Sequence, residues 1–386
     1  MKQRKRNILK HFHIFIVFFI TLVLLYQIVF LRRGAVIEKN NLVFPEVANS
    51  SGNICVFFKN SGPNYQPPSV TIPITPTPGV ALSPTVPAQL SCLSQSGPLI
   101  SLTGNQVTRY DKRGSPLAAN TKVNAAGAQW TALWPVQDSF NYPVLLAGGP
   151  NICFSGATVQ GSYPEQISQD PNATWEYMHG TTAMIISGQN TVVEGARILN
   201  YGDAIDFGYG TGNFIVRRVR LTSIRDDCIQ NDWLYGGLVE DSLLDGCYSA
   251  FSARTYSGQS PSPGNGSNNI WTIQNSLVRL QPSWGVYKNR GLIPGHDGFF
   301  KWDDSGISPK LALHNNIFLA GQPANNVGLG IPAGKLASCS NNIMVWLGSG
   351  SYPDPLPQTL NGQPCFTVTS DKSVWENAVV DWLAKH

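Results

Sequence analysis

Four aspartates near the middle of the chain form the pattern with the clearest chemical meaning. Asp203 and Asp206 lie close together, and Asp226 and Asp227 follow them after about twenty residues. Carboxyl groups that are held close together repel, so one of them retains its proton while a neighbour ionises. Such a pair is what general acid–base catalysis requires. We therefore take Asp203, Asp226 and Asp227 as candidate catalytic residues and Asp206 as a candidate substrate-binding residue.

Two kinds of chemistry fit this cluster. Inverting glycoside hydrolysis uses a carboxylic acid and a carboxylate about 6.5–9.5 Å apart, and needs no metal or cofactor. A polysaccharide lyase would instead use the carboxylates to hold Ca²⁺, with Arg220, Arg225 or Lys288 as the base. A structural role is the alternative to both, because aspartates at turns often accept backbone N–H groups.

The spacing of the acids belongs to a repeat. Each repeat unit has an apolar residue at its start and a second one five places later. The units start at Val193, Val216, Val239, Ile273, Leu313 and Cys339. The second positions hold Ile198, Leu221, Leu244, Val278, Phe318 and Met344. Units of this length are too short for a helical crossover, and their β-branched residues favour short strands that stack in successive coils.

The turns of the repeat also have a pattern. Two places after the start, the last four units carry Asp241, Asn275, Asn315 and Asn341. Asn and Asp suit turns, and stacked Asn side chains form ladders. The sequence therefore predicts an all-β fold, a right-handed parallel β-helix, with Val193 beside Val216 on adjacent strands.

This register makes a specific prediction about the acids. Asp203 and Asp226 each lie ten places after the start of a unit, so we expect them in one column, one strand spacing apart. Ile205, Cys228 and Phe251 would then share an inward column. We expect the carboxylates of Asp203 and Asp226 on one open face, with Asp227 turned the same way.

Two segments resemble a known family. Asp203-Ala-Ile-Asp206 and Arg225-Asp-Asp-Cys-Ile229 are similar to the T-D-G-I-D and G-D-D-C-I motifs of polygalacturonase-type pectin hydrolases, within the pectin-lyase-like superfamily. The resemblance implies a parallel β-helix, a carboxylate trio of Asp203, Asp226 and Asp227, and an acidic polysaccharide as substrate.

The chain departs from that family at two motifs. Tyr248-Ser249-Ala250 stands where the family has G-H-G, so the register places no histidine on the acidic face. The family's R-x-K has its counterpart in Lys288-Asn-Arg290, which makes Lys288 and Arg290 candidate substrate-binding residues. His296, in an inserted loop, is the candidate to replace the missing histidine.

Aromatic residues near the inserted loops suggest a carbohydrate groove, since sugar rings stack on aromatic faces. Trp302 is the candidate we assign to substrate binding, and packing in the core is the alternative. The other members of the group are Trp233, Tyr235, Tyr256, Trp284 and Tyr287.

The N-terminal part predicts a membrane tether. Residues 12–31 are almost wholly apolar, long enough to span a bilayer, and preceded by a basic segment. We expect residues 1–33 to be a cytoplasmic tail and signal anchor, 34–89 a juxtamembrane segment and proline-rich linker, and 90–386 an extracytoplasmic domain. A cleaved secretion signal is the alternative. The first 33 residues hold much of the positive charge, so the remainder shows no basic footprint for nucleic acid.

Both ends of the domain and its cysteines carry further predictions. Residues 90–150 are expected to cover the N-terminal end of the coils. Ser373 and Glu376 suggest a capping box that opens a short amphipathic C-terminal helix. Seven cysteines allow disulfides outside the cytosol, with Cys55–Cys92 and Cys339–Cys365 as possible pairs. Cys228 is expected to be a buried thiol.

The sequence thus predicts a membrane-anchored β-helix protein that acts on polysaccharide, as a hydrolase or lyase of acidic glycans. The alternative is a non-catalytic surface protein that binds a glycan or a cell wall through the same face, because one solenoid fold can serve both functions.

Overall fold

Short parallel strands wind through the computed structural model, which describes residues 90–133, 138–165, 171–256, 258–284, 293–303 and 306–386. The predicted membrane segment 12–31, the linker 34–89, Lys288 and Arg290 lie outside the described residues. Within those described ranges, no helix has both the length and the apolar character needed to cross a bilayer.

The helices are few and short. A 3₁₀ turn spans Cys92–Ser94, and the α-helices are α1 (Asp138–Asn141), α2 (Pro171–His179) and α3 (Ser373–Lys385). The strands, in chain order, are β1 (Leu99–Asn105), β2 (Tyr110–Asp111), β3 (Lys122–Ala132), β4 (Val144–Ala147), β5 (Cys153–Gly161), β6 (Thr182–Ser187), β7 (Val192–Glu194), β8 (Arg197–Leu199), β9 (Asp203–Phe207), β10 (Phe214–Arg217), β11 (Arg220–Gln230), β12 (Gly237–Glu240), β13 (Leu243–Ala253), β14 (Ile270–Gln274), β15 (Leu277–Leu280), β16 (Phe300–Trp302), β17 (Lys310–His314), β18 (Ile317–Ala320), β19 (Leu336–Ser340), β20 (Asn342–Trp346), β21 (Thr359–Leu360), β22 (Gln363–Pro364) and β23 (Phe366–Thr369).

The parallel strands form three stacks, one for each side of the coil. The first stack runs β1, β3, β5, β7, β10, β12, β14, β17, β19. The second stack includes β5, β8, β11, β13, β15, β18, β20 and β23. The third stack runs β2, β4, β6, β9, β11, β13, β16. Long strands such as β11 turn a corner and contribute to two stacks. The fold is a right-handed parallel β-helix, as predicted.

The two apolar columns of the repeat are confirmed. Val216 is in register with both Val193 and Val239, and the column continues through Ile273 and Leu313 to Cys339. The column five places later is likewise continuous from Ile198 to Met344. Every residue in both columns is buried, so each coil covers the apolar side chains of the next.

The asparagine ladder is also present. Asp241, Asn275, Asn315 and Asn341 have φ values of 45°, 51°, 55° and 53°, in the left-handed region that Asn and Asp tolerate best. The Asn315 side chain donates to Asn275 Oδ1, and the Asn341 side chain donates to Asn315 Oδ1, each at 3.3 Å. These bonds tie neighbouring coils together at the corner between the first and second stacks.

The N-terminal part of the domain takes part in the coils. Residues 90–150, expected to cover their end, contain strands β1 to β4, which pair in the same parallel stacks as the later units. The segment before β1 is held against the side of the stack, because Cys92 N donates to Glu194 Oε2 at 3.0 Å and Arg217 donates to the Leu90 carbonyl at 2.9 Å.

Helix α3 packs on the outer side of the second stack. Trp375 and Trp382 are buried against Leu243, Leu277 and Val345, which come from three different coils. The amphipathic helix is therefore as predicted, but the capping box is wrong. Lys372 is the N-cap residue and makes no side-chain cap. Asp371 Oδ1 instead accepts from the backbone N–H and the hydroxyl of Ser373.

Three disulfides link neighbouring segments: Cys92–Cys153, Cys228–Cys247 and Cys339–Cys365. The last pair confirms a prediction. The suggested pairing of Cys55 with Cys92 is wrong, because Cys92 is bonded to Cys153. The expectation of a buried thiol at Cys228 is also wrong, since the stacking of β11 on β13 brings it next to Cys247.

Candidate functional site

A β-bulge in β11 brings the adjacent acids to the site. Leu221 pairs with Ile198 in the second stack, a separation of 23 residues, but Ile229 pairs with Ile205 in the third stack, a separation of 24. The register of β11 with β13 shifts between Ile224 and Asp227 as well. β11 thus has one extra residue relative to both neighbours, and such bulges redirect side chains.

The bulge corrects the predicted register. The inward column contains Ile205, Ile229 and Phe251, so Cys228 is not part of it. The predicted pairing of Asp203 with Asp226 is kept, because the Asp226 N–H donates to the Gly202 carbonyl at 2.8 Å, the bond expected when Asp226 lies opposite Asp203. The extra residue explains how two adjacent aspartates reach one place, which a regular strand would prevent by turning them to opposite faces.

The three predicted catalytic aspartates do converge. Carboxylate oxygens of Asp203, Asp226 and Asp227 lie within 4.8 Å of one another. Asp203 also accepts from the backbone N–H of Asp227 at 3.0 Å and from the Thr182 hydroxyl at 3.2 Å. The expected open face is wrong, however. The relative exposures of the three aspartates are 5%, 1% and 1%, because the end of α2 and the Lys301 side chain lie against them.

Two cationic side chains complete the cluster, and sequence reasoning missed both. His179 Nδ1 lies 2.7 Å from Asp226 Oδ2. Lys301 Nζ lies 2.9 Å from Asp227 Oδ2 and 3.6 Å from Asp226 Oδ1. Asp226 and Asp227 are therefore held by side chains, whereas Asp203 is the member held in part by the backbone.

His179 comes from an earlier coil than the one that carries Asp226 and Asp227. It is the last residue of α2, which lies between β5 and β6. Gly202 allows this approach, because a Cβ at that position would lie 1.8 Å from the Met178 carbonyl oxygen. The Trp175 ring stacks on the His179 ring, with centroids 5.5 Å apart. The repeat could not reveal His179, because a residue in a helical insert occupies no column of the repeat.

Lys301, in contrast, does lie on a column. It is in register with Ser252, Ser252 with Gln230, and Gln230 with Asp206. In the third stack, Phe251 pairs with Phe300, and this register places Lys301 on the acidic face. At the same coil the first and second stacks pair residues that are 34 apart, such as Val239 with Ile273, so a count from those stacks does not reach Lys301.

The pKa values of the three carboxyl groups shift in different directions. Burial raises the pKa of Asp203 well above its usual value, and the neighbouring Asp226 and Asp227 add to the increase. Burial acts on Asp226 in the same direction, but Lys301 and His179 outweigh it and lower the pKa of that carboxyl. Burial raises the pKa of Asp227 to about 6, against the opposing effect of Lys301. The cluster therefore places a carboxyl that favours its protonated form beside one that favours its ionised form.

The contacts with the acids favour the charged forms of His179 and Lys301. The hydrogen bond to Asp226 raises the pKa of His179, against the effect of burial. Burial alone would lower the pKa of Lys301, but Asp227 and Asp226 raise it well above its usual value. Lys301 therefore has no tendency to act as a base. A metal ion bound to all three carboxylates would have to displace its ammonium group.

Of the suggested lyase bases, Arg225 is engaged elsewhere and Arg220 lies in a different stack from Asp203. Arg225 donates to the backbone carbonyls of Pro164 at 2.6 Å and Tyr163 at 2.9 Å. Arg220 lies in the second stack, in register with Arg197. Lys288 lies outside the described residues.

Asp206 extends the acidic group together with Asp232. Asp206 is half-buried, and burial followed by the charge of Asp232 raises its pKa well above the usual value. Asp232 accepts from Gln230 Nε2 at 2.8 Å, and burial followed by the charge of Asp227 raises its pKa to about 7.

Two other predicted substrate-binding residues lie in the interior. His296 has no exposed surface, its Nδ1 lies 2.7 Å from the Asp297 carbonyl, and burial lowers its pKa. Trp302 is 7% exposed, and its indole N–H donates to the Pro309 carbonyl at 2.8 Å. Both rings are buried, so neither presents a surface to a sugar in this structure.

Comparisons with known proteins give no family for this chain. No family model matches it, and no curated protein matches it either. A comparison with solved structures gives the crystal structure of Dettilon tailspike protein (gp208), at 14% sequence identity and a TM-score of 0.27. The alignment covers 70% of this chain and 61% of that chain, so the match spans about three fifths of the tailspike protein.

Proposed function

We propose that this protein is a glycoside hydrolase that cleaves a polysaccharide at the cluster of Asp203, Asp226 and Asp227. The observation that carries the proposal is the convergence of three carboxyls within 4.8 Å, with Lys301 and His179 in contact with Asp226. This arrangement raises the pKa of Asp203 through burial and lowers that of Asp226 through the two cations. Environments that separate the pKa values of paired groups in this way mark the acid and the base of a catalytic site.

Each member of the cluster then has a role. Asp203 donates its proton to the glycosidic oxygen as the bond to the anomeric carbon breaks. Asp226 accepts a proton from the water whose oxygen adds to that carbon. Because the carboxyl oxygens lie within 4.8 Å of one another, closer than the about 6.5–9.5 Å usual for inverting enzymes, this water has to lie beside the pair and not between the two groups. Lys301 and His179 keep Asp226 ionised between turnovers. The His179 side chain is 57% exposed, so the glycan approaches from the side of α2.

The resemblance of two sequence segments to pectin hydrolase motifs supports the same assignment. The predicted anchoring at residues 12–31 and substrate contacts of Lys288 and Arg290 are retained as parts of the proposal. A lyase mechanism has less support, because Arg225 donates to the Pro164 carbonyl and Arg220 lies in the second stack.

The test is cleavage of a panel of acidic, neutral and amine-bearing polysaccharides by the full chain, read as new reducing ends. We expect wild-type protein to cleave one class, and Asp226→Asn to lower the rate at least 100-fold, the lower range of general acid–base catalysis at about 10²–10⁴. Asp241→Asn is the matched control, because Asn occupies the equivalent corner of three later coils. Full activity of Asp226→Asn would refute the assignment, and unsaturated products would indicate a lyase.

One observation favours a second candidate function, a non-catalytic glycan-binding protein. The three carboxyls are at most 5% exposed, as expected of groups that hold coils together. This candidate predicts that the full chain binds a polysaccharide of the panel and that no new reducing ends form.

A further inference from the structure

Asp206 and Asp232 form an acidic pair beside the cluster that has no cation of its own. Gln230 connects them, being in register with Asp206 and bonded to Asp232 at 2.8 Å. Among the described residues, no Lys, Arg or His forms an ion pair with either carboxyl. Lys301 and His179 are both committed to the neighbouring Asp226 and Asp227. The described part of the protein therefore supplies no ion-pairing cation to either carboxyl.

Buried hydroxyl groups at the same place also lack partners. Ser252 is 1% exposed, and its Oγ has no hydrogen-bond partner among the described residues. Its register between Gln230 and Lys301 puts its side chain on the same face of the third stack as Asp206. A buried polar atom without a partner calls for a ligand or an ordered water. Ser252 thus points independently to a bound group beside the acidic pair.

Two aromatic residues continue the surface from the acidic pair. Tyr209 and Trp233 follow Asp206 and Asp232 closely in sequence, and their ring centroids lie 5.0 Å apart. Tyr209 is 62% exposed. The two loops are joined where Gly210 N donates to the Tyr235 hydroxyl at 2.7 Å. Aromatic faces attract sugar rings, and they also attract cations through their π-electrons.

We propose that Asp206, Asp232, Tyr209 and Trp233 form a subsite for a sugar that carries a protonated amine, so that the substrate is a hexosamine polymer with free amino groups. The proposal rests on the proposed function, because the subsite adjoins the same catalytic cluster. It replaces the acidic-glycan substrate that the sequence resemblance implied.

Charge decides between the two substrate classes. Burial and neighbouring acids raise the pKa of Asp206 and Asp232, and an ammonium group placed here would lower both pKa values and form charge-assisted hydrogen bonds with the resulting carboxylates. A uronate would instead meet acidic groups with which no cation of the described residues forms an ion pair, so its own charge would gain no partner there.

The first experiment measures binding to the full-length Asp226→Asn variant by calorimetry. The probes are a glucosamine pentamer, its N-acetylated form and a galacturonate pentamer, at about pH 7, near the pKa of Asp232, where a bound ammonium group can shift the acidic pair to its ionised form. We expect the glucosamine pentamer to bind at least tenfold more tightly than either of the others. Adding Asp206→Asn or Asp232→Asn should remove the preference, and adding Asp245→Asn, in the second stack, should leave it unchanged. Equal or tighter binding of the acetylated or galacturonate probe, or no binding of any probe, would overturn the inference.

The second experiment measures cleavage of the same three probes by the wild-type protein. Preferred cleavage of the galacturonate pentamer would support the hydrolase and overturn the amine subsite. Tight binding of the glucosamine pentamer to Asp226→Asn, without cleavage of any probe by wild type, would support the subsite and count against the hydrolase. The two proposals can therefore fail separately.

Discussion

Lys301 is the residue whose replacement tests the electrostatics of the cluster most sharply. Its ammonium lies 2.9 Å from Asp227 and 3.6 Å from Asp226, and both carboxyls are buried. Lys301→Met keeps most of the side-chain volume and removes the charge. Taking away one partner of a buried ion pair leaves the other uncompensated, and the protein can avoid that cost by protonating a carboxyl.

The size of the effect follows from the pKa of Asp227. In the wild-type protein that pKa is about 6, raised by burial against the opposing effect of Lys301. Without Lys301 the folded-state pKa rises further, so above pH 6 the folded variant holds a proton that the folded wild type has released. Stability falls with pH wherever the folded state binds more protons than the unfolded state. The loss relative to wild type should therefore grow by about 1.4 kcal/mol per pH unit above 6, reaching about 3 kcal/mol at pH 8.

The assay is urea unfolding followed by tryptophan fluorescence, with wild type and variant compared at several pH values between 5 and 8. Lys310→Met is the matched control, because Lys310 is exposed and forms no ion pair with any described residue. A double variant with Asp227→Asn should lose the pH dependence above 6. A difference between Lys301→Met and wild type that stays constant from pH 5 to 8 would refute the reasoning.

Two further predictions concern stability. Burial and the charge of Asp227 raise the pKa of Asp232 to about 7. The folded protein therefore loses stability as the pH rises from about 4 to 7, because unfolding would release this proton. Asp232→Asn should raise the free energy of unfolding by up to about 4 kcal/mol at pH 8 and by little at pH 4, measured by urea unfolding; equal gains at both pH values would contradict this. The Cys92–Cys153 bond closes a longer loop than Cys228–Cys247, with sequence separations of 61 and 19. Replacing the first pair by Ala should therefore cost about 4 kcal/mol and the second about 3 kcal/mol in thermal unfolding, and the reverse order would contradict the loop-entropy argument.

The coils could be predicted because the repeat imposes one strong physical constraint. Each unit is too small to bury its own apolar face, so residues at equal positions must stack, as Val193, Val216 and Val239 do. The Asn ladder followed from the turn chemistry of Asn315 and its neighbours. Both features repeat, and periodic features can be read from one sequence.

The parts that could not be predicted are local departures from the period. The bulge in β11 puts Ile229 in the inward column expected for Cys228, and a count from the start of the unit cannot detect it. His179 is brought in by a helical insert whose position depends on the close approach at Gly202. Trp302 is buried in the core. The sequence could not show this, because an aromatic residue near an insert looks the same in sequence whether it packs in the core or contacts a sugar.

The central claim is that one buried cluster holds Asp203 protonated and Asp226 ionised at neutral pH. The direct measurement is a ¹³C NMR titration of the aspartate side-chain carboxyls in the full chain, with Asp203→Asn and Asp226→Asn used to assign the two signals. We expect the Asp203 carboxyl to have the chemical shift of a carboxylic acid at pH 7. We expect the Asp226 carboxyl to titrate below its usual pKa of 3.8, because Lys301 and His179 lie beside it. Ionisation of Asp203 at pH 7, or protonation of Asp226 above pH 5, would contradict the account.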